Sequence, residues 1–301
     1  MRPHQRKAAR NSVLFALVVL SAGWIGRLVD EATGAEGDAG IGQLIWIVSP
    51  IATAAVLRLW GGDGWGDAGW KPRFRANGGW YAVSLLFYPV VLGVTAGIGL
   101  LLDEFLVDGG GSFPFGTFTA AFLVGLVPVL FTAVAEEVGW RGYLVPRLEV
   151  TGVGRWVNHL VVGLIWGAWH IPYVAVFWDF TDESLTVLVP RLLVGTVIVA
   201  VIYGEIRMAT GSVWPAVLMH ATGNAVVGAL LADGVLDVGS STPLVFSPGA
   251  DGLFVIGATV VGASAIVIAA RRSSGGRDLA QPGSSPSRLG DGVGPARTLG
   301  P

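Results

Sequence analysis

The chain has 301 residues, of which 52% are hydrophobic and only 13% charged, with a formal net charge of −2 and a mean hydropathy of +0.65. A soluble domain carries about 25% charge, so the composition argues against a water-soluble globule, and the near-zero net charge against a nucleic-acid partner, which needs a basic field. No cysteine is present, which removes disulfides, thiol nucleophiles, iron–sulfur clusters and cysteine-bound zinc.

Residues 1–11 form a basic segment holding Arg2, Arg6, Lys7 and Arg10. An apolar run follows without a small-x-small cleavage site, so it reads as a retained first helix and not as a signal peptide. Crossing a bilayer takes about 20 apolar residues. Residues 80–102, 117–135 and 252–270 carry no charge at all. The full pattern predicts an all-α polytopic bundle of about eight spans, near 12–29, 41–60, 80–102, 117–140, 158–178, 185–206, 212–232 and 252–270. The membrane bundle occupies residues 12–271. Residues 272–301, dominated by Gly, Ser and Pro, cannot bury enough apolar surface to order themselves and read as a disordered cytoplasmic tail.

The loops orient this bundle. With the first span running outward, every one of the 19 basic residues except Arg27 and Arg191 falls in a cytoplasmic segment. The outer loops collect acids instead: Asp30, Glu31, Glu36, Asp38, Asp103, Glu104, Asp108, Asp179, Asp182, Glu183, Asp233, Asp237 and Asp251. The positive-inside rule then places both termini in the cytoplasm. Arg191, inside the sixth span, reads as a snorkelling residue or a partner for an acid in the bundle. Glu205 and Arg207 read as an interfacial pair.

An ionisable group at bilayer depth costs roughly 2.5–3.5 kcal/mol on insertion scales, so it needs a partner or a wet cavity. Three spans carry such groups. The fourth ends in Glu136-Glu137-Val138-Gly139-Trp140-Arg141. Glu137 and Arg141, at i and i+4, can pair on one face. Glu136, about 100° around the helix, is left above Trp140 and Tyr143, free to act. Taken alone, the segment reads equally well as a salt-bridged helix end. The fifth span holds Trp166 and, one turn later, His170, just before Pro172. A lone histidine there is an ordinary packing residue. The seventh span holds His220 and Asn224 at i and i+4, on one side of the helix.

Brought together, these groups are parts for activating water. A carboxylate and an imidazole can take its proton, and a second histidine with an asparagine can donate to a developing oxyanion. Glu136, His170 and His220 are equally a three-ligand zinc set with one open position. No His-Glu-x-x-His pair and no Gly-x-Ser-x-Gly elbow offers another protease chemistry. Intramembrane carboxylates and histidines also build proton relays. A proton-coupled transporter and a non-catalytic scaffold or immunity protein therefore remain alternatives.

Three motifs in order, Glu136-Glu137-x-x-x-Arg141, Trp166-x-x-x-His170 and His220-x-x-x-Asn224, resemble those of the CAAX-protease and bacteriocin-processing (abortive-infection) family of intramembrane proteases, which includes the type II CAAX prenyl endopeptidase. The family pattern has Phe where this chain has Trp166. The resemblance covers about residues 115–232. It implies an eight-helix bundle that hydrolyses peptide bonds of membrane-associated or lipidated substrates, in a prokaryotic plasma membrane. Glu136 and His170 would activate water, Glu137 and Arg141 would support the carboxylate, and His220 with Asn224 would hold the oxyanion, with Trp140 and Trp166 lining the pocket. Zinc and a metal-free glutamate mechanism are both compatible with it.

The depths agree on one condition. A fourth helix starting near residue 117 puts Glu136 about 28 Å along, at ~1.5 Å per residue. His170 and His220 lie about 12–15 Å from the cytoplasmic ends of their spans by the same rise. The three share a cavity open to the cytosol if the fourth helix continues inward, toward Leu148, with Arg141 and Arg147 snorkelling.

Overall fold

The computed structural model describes residues 1–35, 40–107, 111–177, 183–238 and 243–279. Backbone N–H and C=O groups in hydrocarbon must be satisfied within the protein, which leaves helices as the economical solution for long apolar segments. The described residues obey this. In chain order they form α1 (Pro3–Thr33), α2 (Ile41–Leu59), α3 (Phe74–Leu101), β1 (Phe105–Val107), α4 (Phe115–Gly139), a π-helical turn (Trp140–Leu144), α5 (Val145–Thr151), α6 (Arg155–His170), a 3₁₀ turn (Ile171–Tyr173) and α7 (Val174–Phe177). Then come α8 (Leu185–Thr210), α9 (Trp214–Leu230), β2 (Leu236–Val238), α10 (Pro243–Phe246) and α11 (Leu253–Leu279).

Among the described residues, seven helices are long and apolar enough to cross a membrane, and the chain is a polytopic helical membrane protein. The remaining expected span, the seventh, is α9, which has 17 residues. It packs against α4 and α3, with most of its residues buried. Around that centre α1 lies on α2, α6 on α8, and α8 on α11.

The helices differ from the expected spans in informative ways. The first begins at Pro3, so the basic segment is already helical, with Pro in the first turn where its missing N–H costs nothing. The fifth stops as an α-helix at His170 and tightens into the 3₁₀ turn containing Pro172, which cannot donate to a preceding carbonyl. The last runs on to Leu279, and residues 280–301 lie outside the described residues, as do Glu36, Asp38, Asp108, Asp179 and Asp182. A two-stranded antiparallel ribbon, unexpected from the sequence, joins the α3–α4 and α9–α10 connections, with Phe105 opposite Val238 and Val107 opposite Leu236.

Three charged residues resolve the alternatives left by the sequence: Arg191 takes the second of its two expected roles, pairing with acids, while Glu205 and Arg207 have partners other than each other. Arg191 does not snorkel. Its guanidinium bonds the Glu183 carboxylate and, 3.0 Å away, the Asp251 carbonyl, pinning the start of α8 to the loop before α11. Glu205 and Arg207 do not pair. Glu205 receives Arg155 and His159, while Arg207 donates to the carbonyls of Arg141 and Asp67.

α4 itself is two different surfaces on one helix. From Phe115 to Phe131 its side chains are exposed or half-buried all round; from Ala135 to Leu148 every residue is buried. An apolar stretch exposed on all sides suits lipid, and the chemistry-bearing part is enclosed by the other helices. The rod then continues without a break through the π turn and α5 to Thr151, past Leu148, as the depth argument requires.

Candidate active site

Four ionisable groups from two helices meet in the enclosed half of the bundle. Glu136 and Glu137 end α4, Arg141 lies in the π turn, and His220 is midway along α9; Glu136 and His220 are 5% exposed, Glu137 and Arg141 fully buried. Charges this deep persist only when each is met by an opposite charge and hydrogen bonds.

The i, i+4 pair forms as its spacing dictates: Arg141 Nη1 donates to Glu137 Oε1 at 3.0 Å. The same Oε1 lies 3.0 Å from His220 Nδ1. One carboxylate oxygen thus bridges the arginine of α4 and the imidazole of α9. The Arg141 guanidinium is sandwiched between two rings, its Cζ 4.5 Å from the Trp166 centroid and 4.8 Å from that of Tyr203, a contact that gains strength when water is excluded.

Glu136 is held differently. Its Oε2 accepts a 2.7 Å hydrogen bond from the Trp166 indole N–H, and its Oε1 faces His220 Nε2 across 3.8 Å. That gap exceeds a direct hydrogen bond and lies within the range of an ion pair if the imidazole is protonated. Trp140 and Tyr143 are not its neighbours in the way expected: Trp140 packs edge-on against Phe15 and Trp169, and the Tyr143 hydroxyl donates to Asp63 at 2.7 Å. The pocket walls are Trp166 and Tyr203, whose ring centroids lie 5.6 and 5.8 Å from that of His220.

His170 enters through Trp166. Its Nδ1 is 2.8 Å from the Trp166 carbonyl one turn back, and the two rings are 5.9 Å apart. Trp46 and Trp169 bound it on other sides, at 6.0 and 5.0 Å. Asn224 does not join the cluster. It is exposed on α9, because four residues advance a helix about 40° beyond a full turn, enough to carry it off the buried face that holds His220. No three His, Asp or Glu side chains among the described residues are arranged to hold a metal ion, so the set Glu136, His170 and His220 does not close on one point. The Nδ1 atoms of both histidines already face other partners, a carbonyl for His170 and Glu137 for His220.

Buried polar atoms are ordinarily satisfied, yet Glu137 Oε2, Arg141 Nε and Arg141 Nη2 have no hydrogen-bond partner among the described residues. Buried groups of this kind are ordinarily met by ordered water, which makes about three such bonds. Arranged this way, the pocket can orient a small polar molecule against a carboxylate and an imidazole.

Sequence reasoning missed Tyr203, which walls the site from α8, and the residues that grip the π turn from outside. Tyr203 sits in an apolar run where an aromatic residue carries no signal of its own. Pro146 is the one visible cue for the turn, since it denies an N–H to the carbonyl four residues earlier.

Comparison with known proteins meets the site on the same helices. Residues 118–226 match the family described as type II CAAX prenyl endopeptidase Rce1-like, a stretch that includes Glu136, Glu137, Arg141, Trp166, His170, His220 and Asn224. A curated relative, "CAAX prenyl protease 2" of Methanococcus maripaludis, is 31% identical over 100 residues, which make up 31% of this chain and 36% of the relative. The matched region therefore spans about a third of that relative's length. The resemblance to the CAAX-protease and bacteriocin-processing family holds for these central helices.

Proposed function

We propose, from the match of the central helices to the CAAX-protease family and from the site they build, that the chain is an intramembrane endopeptidase in which Glu136 and His220 activate water. The observation that carries this is the 3.8 Å separation between Glu136 Oε1 and His220 Nε2, among buried side chains of α4, α6, α8 and α9.

Each residue then has a task. Arg141 neutralises Glu137, and Glu137 accepts the Nδ1–H of His220. That fixes the imidazole tautomer so that Nε2 is an acceptor, the arrangement by which a carboxylate orients a catalytic histidine. A water between Nε2 and Glu136 Oε1 is aligned by both. Its oxygen attacks the scissile carbonyl carbon as Glu136 takes one proton, and the C–O bond forms while the carbonyl π electrons move to oxygen. Collapse of that tetrahedral species breaks the C–N bond, and Glu136 returns the proton to the departing amine, leaving a free amine and a carboxylic acid that ionises on release to water. General-base help of this kind contributes about 10²–10⁴-fold. Trp166 anchors the far oxygen of Glu136, and His170 is the second imidazole of the site. Asn224 is assigned no step.

The substrate class is a membrane-associated or lipidated protein segment, with prenylated CAAX-type peptides the first to try. From the loop charges and the positive-inside rule we infer that both termini and the site face the cytoplasm, and from the family resemblance that the membrane is a prokaryotic plasma membrane. The deciding experiment is the purified full chain in liposomes, given farnesylated and unmodified peptides with and without a chelator. Cleavage that resists the chelator and disappears in Glu136→Gln is expected. No cleavage, together with proton-coupled uptake dependent on Glu136, would replace the enzyme by a transporter.

A further inference from the structure

The π turn that carries Arg141 leaves two backbone carbonyls without helical partners. In the π register the Val145 N–H goes to the Trp140 carbonyl, five residues back, so the Arg141 carbonyl loses the donor an α-helix would give it. The Gly142 carbonyl would pair with residue 146, which is Pro146 and has no N–H. Backbone acceptors buried in this way must be met from elsewhere. Two arginines meet them. Arg207 Nε of α8 donates to the Arg141 carbonyl at 3.2 Å, and Arg58 Nη2 of α2 donates to the Gly142 carbonyl.

Both arginines are themselves held by the α2–α3 loop, residues 60–73. Asp67 accepts from Arg58 through its carboxylate at 2.8 Å and from Arg207 through its carbonyl at 2.6 Å. The loop also reaches the helix of His220, since the Gly69 and Trp70 carbonyls accept from the Val213 backbone and the Trp214 indole at 3.0 and 2.7 Å. Gly69, at φ +74°, lies so close that a Cβ there would sit 2.7 Å from the Arg207 guanidinium carbon. The loop is thus a strap fastened at once to α4, α8 and α9.

We propose that Arg58 and Arg207, braced by the strap, are positioning residues: they hold the π turn open and so set Glu136, Glu137 and Arg141 in register with His220. This rests on the endopeptidase reading for its kinetic consequence but not for its geometry. π turns of this kind recur at functional sites, and a displacement of about 1 Å at a reacting group costs about 10²-fold.

The test uses the full chain in nanodiscs with a farnesylated CAAX peptide and two variants, Arg58→Ala and Arg207→Met. Each is expected to lower kcat about 10- to 100-fold with KM within about twofold. Millimolar methylguanidinium is expected to restore Arg58→Ala. Independently of turnover, the imidazole ¹⁵N signals of His220, one of only 4 histidines, are expected to shift in both variants as the contact with Glu137 loosens. Should Arg58→Ala not fold, Arg207→Met decides, because Arg207 is only half-buried. Unchanged kcat in folded protein overturns the proposal, as does a lower melting temperature with unmoved His220 signals. A wild-type chain that cleaves nothing defeats the endopeptidase reading instead, and the ¹⁵N signals then judge the strap alone.

Discussion

Two buried clusters in this bundle use the same three residue types, and only one has a second carboxylate beside its histidine. On α6 and α8, Arg155 and His159 converge on Glu205, whose two oxygens accept both nitrogens of the Arg155 fork and the His159 ring nitrogen. That carboxylate is saturated. Its fork-and-ring geometry ties α6 to α8, where His159 also packs over Gly204, leaving no room for a Cβ. On α4 and α9, Arg141 and His220 converge on Glu137 in the same manner. There a second carboxylate, Glu136, stands beside the triad with one oxygen anchored by Trp166 and the other facing His220 without touching it. The difference teaches that a buried histidine, glutamate and arginine suffice for a strut, and that on the proposed reading it is the additional, incompletely bonded carboxylate that turns a strut into a site.

The comparison breaks most sharply at Glu136. Glu136→Gln keeps the volume and an acceptor for the Trp166 indole but removes the base, and should lower cleavage by about 10³-fold with little change in folding. His220→Ala comes next, about 10²-fold in kcat. It also leaves Glu137 with Arg141 alone. The strut gives the opposite pattern. Glu205→Gln removes the charge that Arg155 faces, and breaking a buried pair by removing one partner costs about 3–5 kcal/mol. The melting temperature should fall, while kcat of the folded fraction stays within a few-fold of wild type. A strut variant that abolished turnover without loss of stability would erase the distinction drawn here.

Much of this was legible beforehand, for physical reasons. Long uncharged runs reveal helices because hydrocarbon tolerates little else, and Glu137 with Arg141 reveals a pair because helix geometry is local. Glu136, His170 and His220 stand out since ionisable groups are rare at that depth. What escaped detection depends on how helices rotate and on which distant segment comes alongside. Asn224 shares a spacing with His220 yet lies on the exposed edge of α9. Arg207 neighbours Glu205 in sequence yet serves α4, and the strap's bonds join residues separated by more than 60 positions. His159 is the instructive case: it lies near the start of α6, and nothing in the surrounding sequence shows that it has a glutamate of its own.

The finest distinction between strut and site lies in Trp166. The family pattern carries Phe at this position, so Trp166→Phe asks what the indole adds here beyond an aromatic wall. Phe keeps a ring against the Arg141 guanidinium and against His220, but it removes the N–H that holds Glu136 Oε2 at 2.7 Å. A hydrogen bond to a charged acceptor contributes about 1.5–3 kcal/mol, and a fraction of that, about 1 kcal/mol, expressed in the transition state is about fivefold in rate. The expected result is therefore a loss of about fivefold in kcat with KM and melting temperature near wild type, measured on the same peptide. An unchanged kcat would mean that Glu136 is held in place by His220 and its own helix, and that the indole serves only as wall. A loss as large as that of Glu136→Gln would mean that the carboxylate swings away without its anchor, and the indole N–H would then be a necessary part of the site.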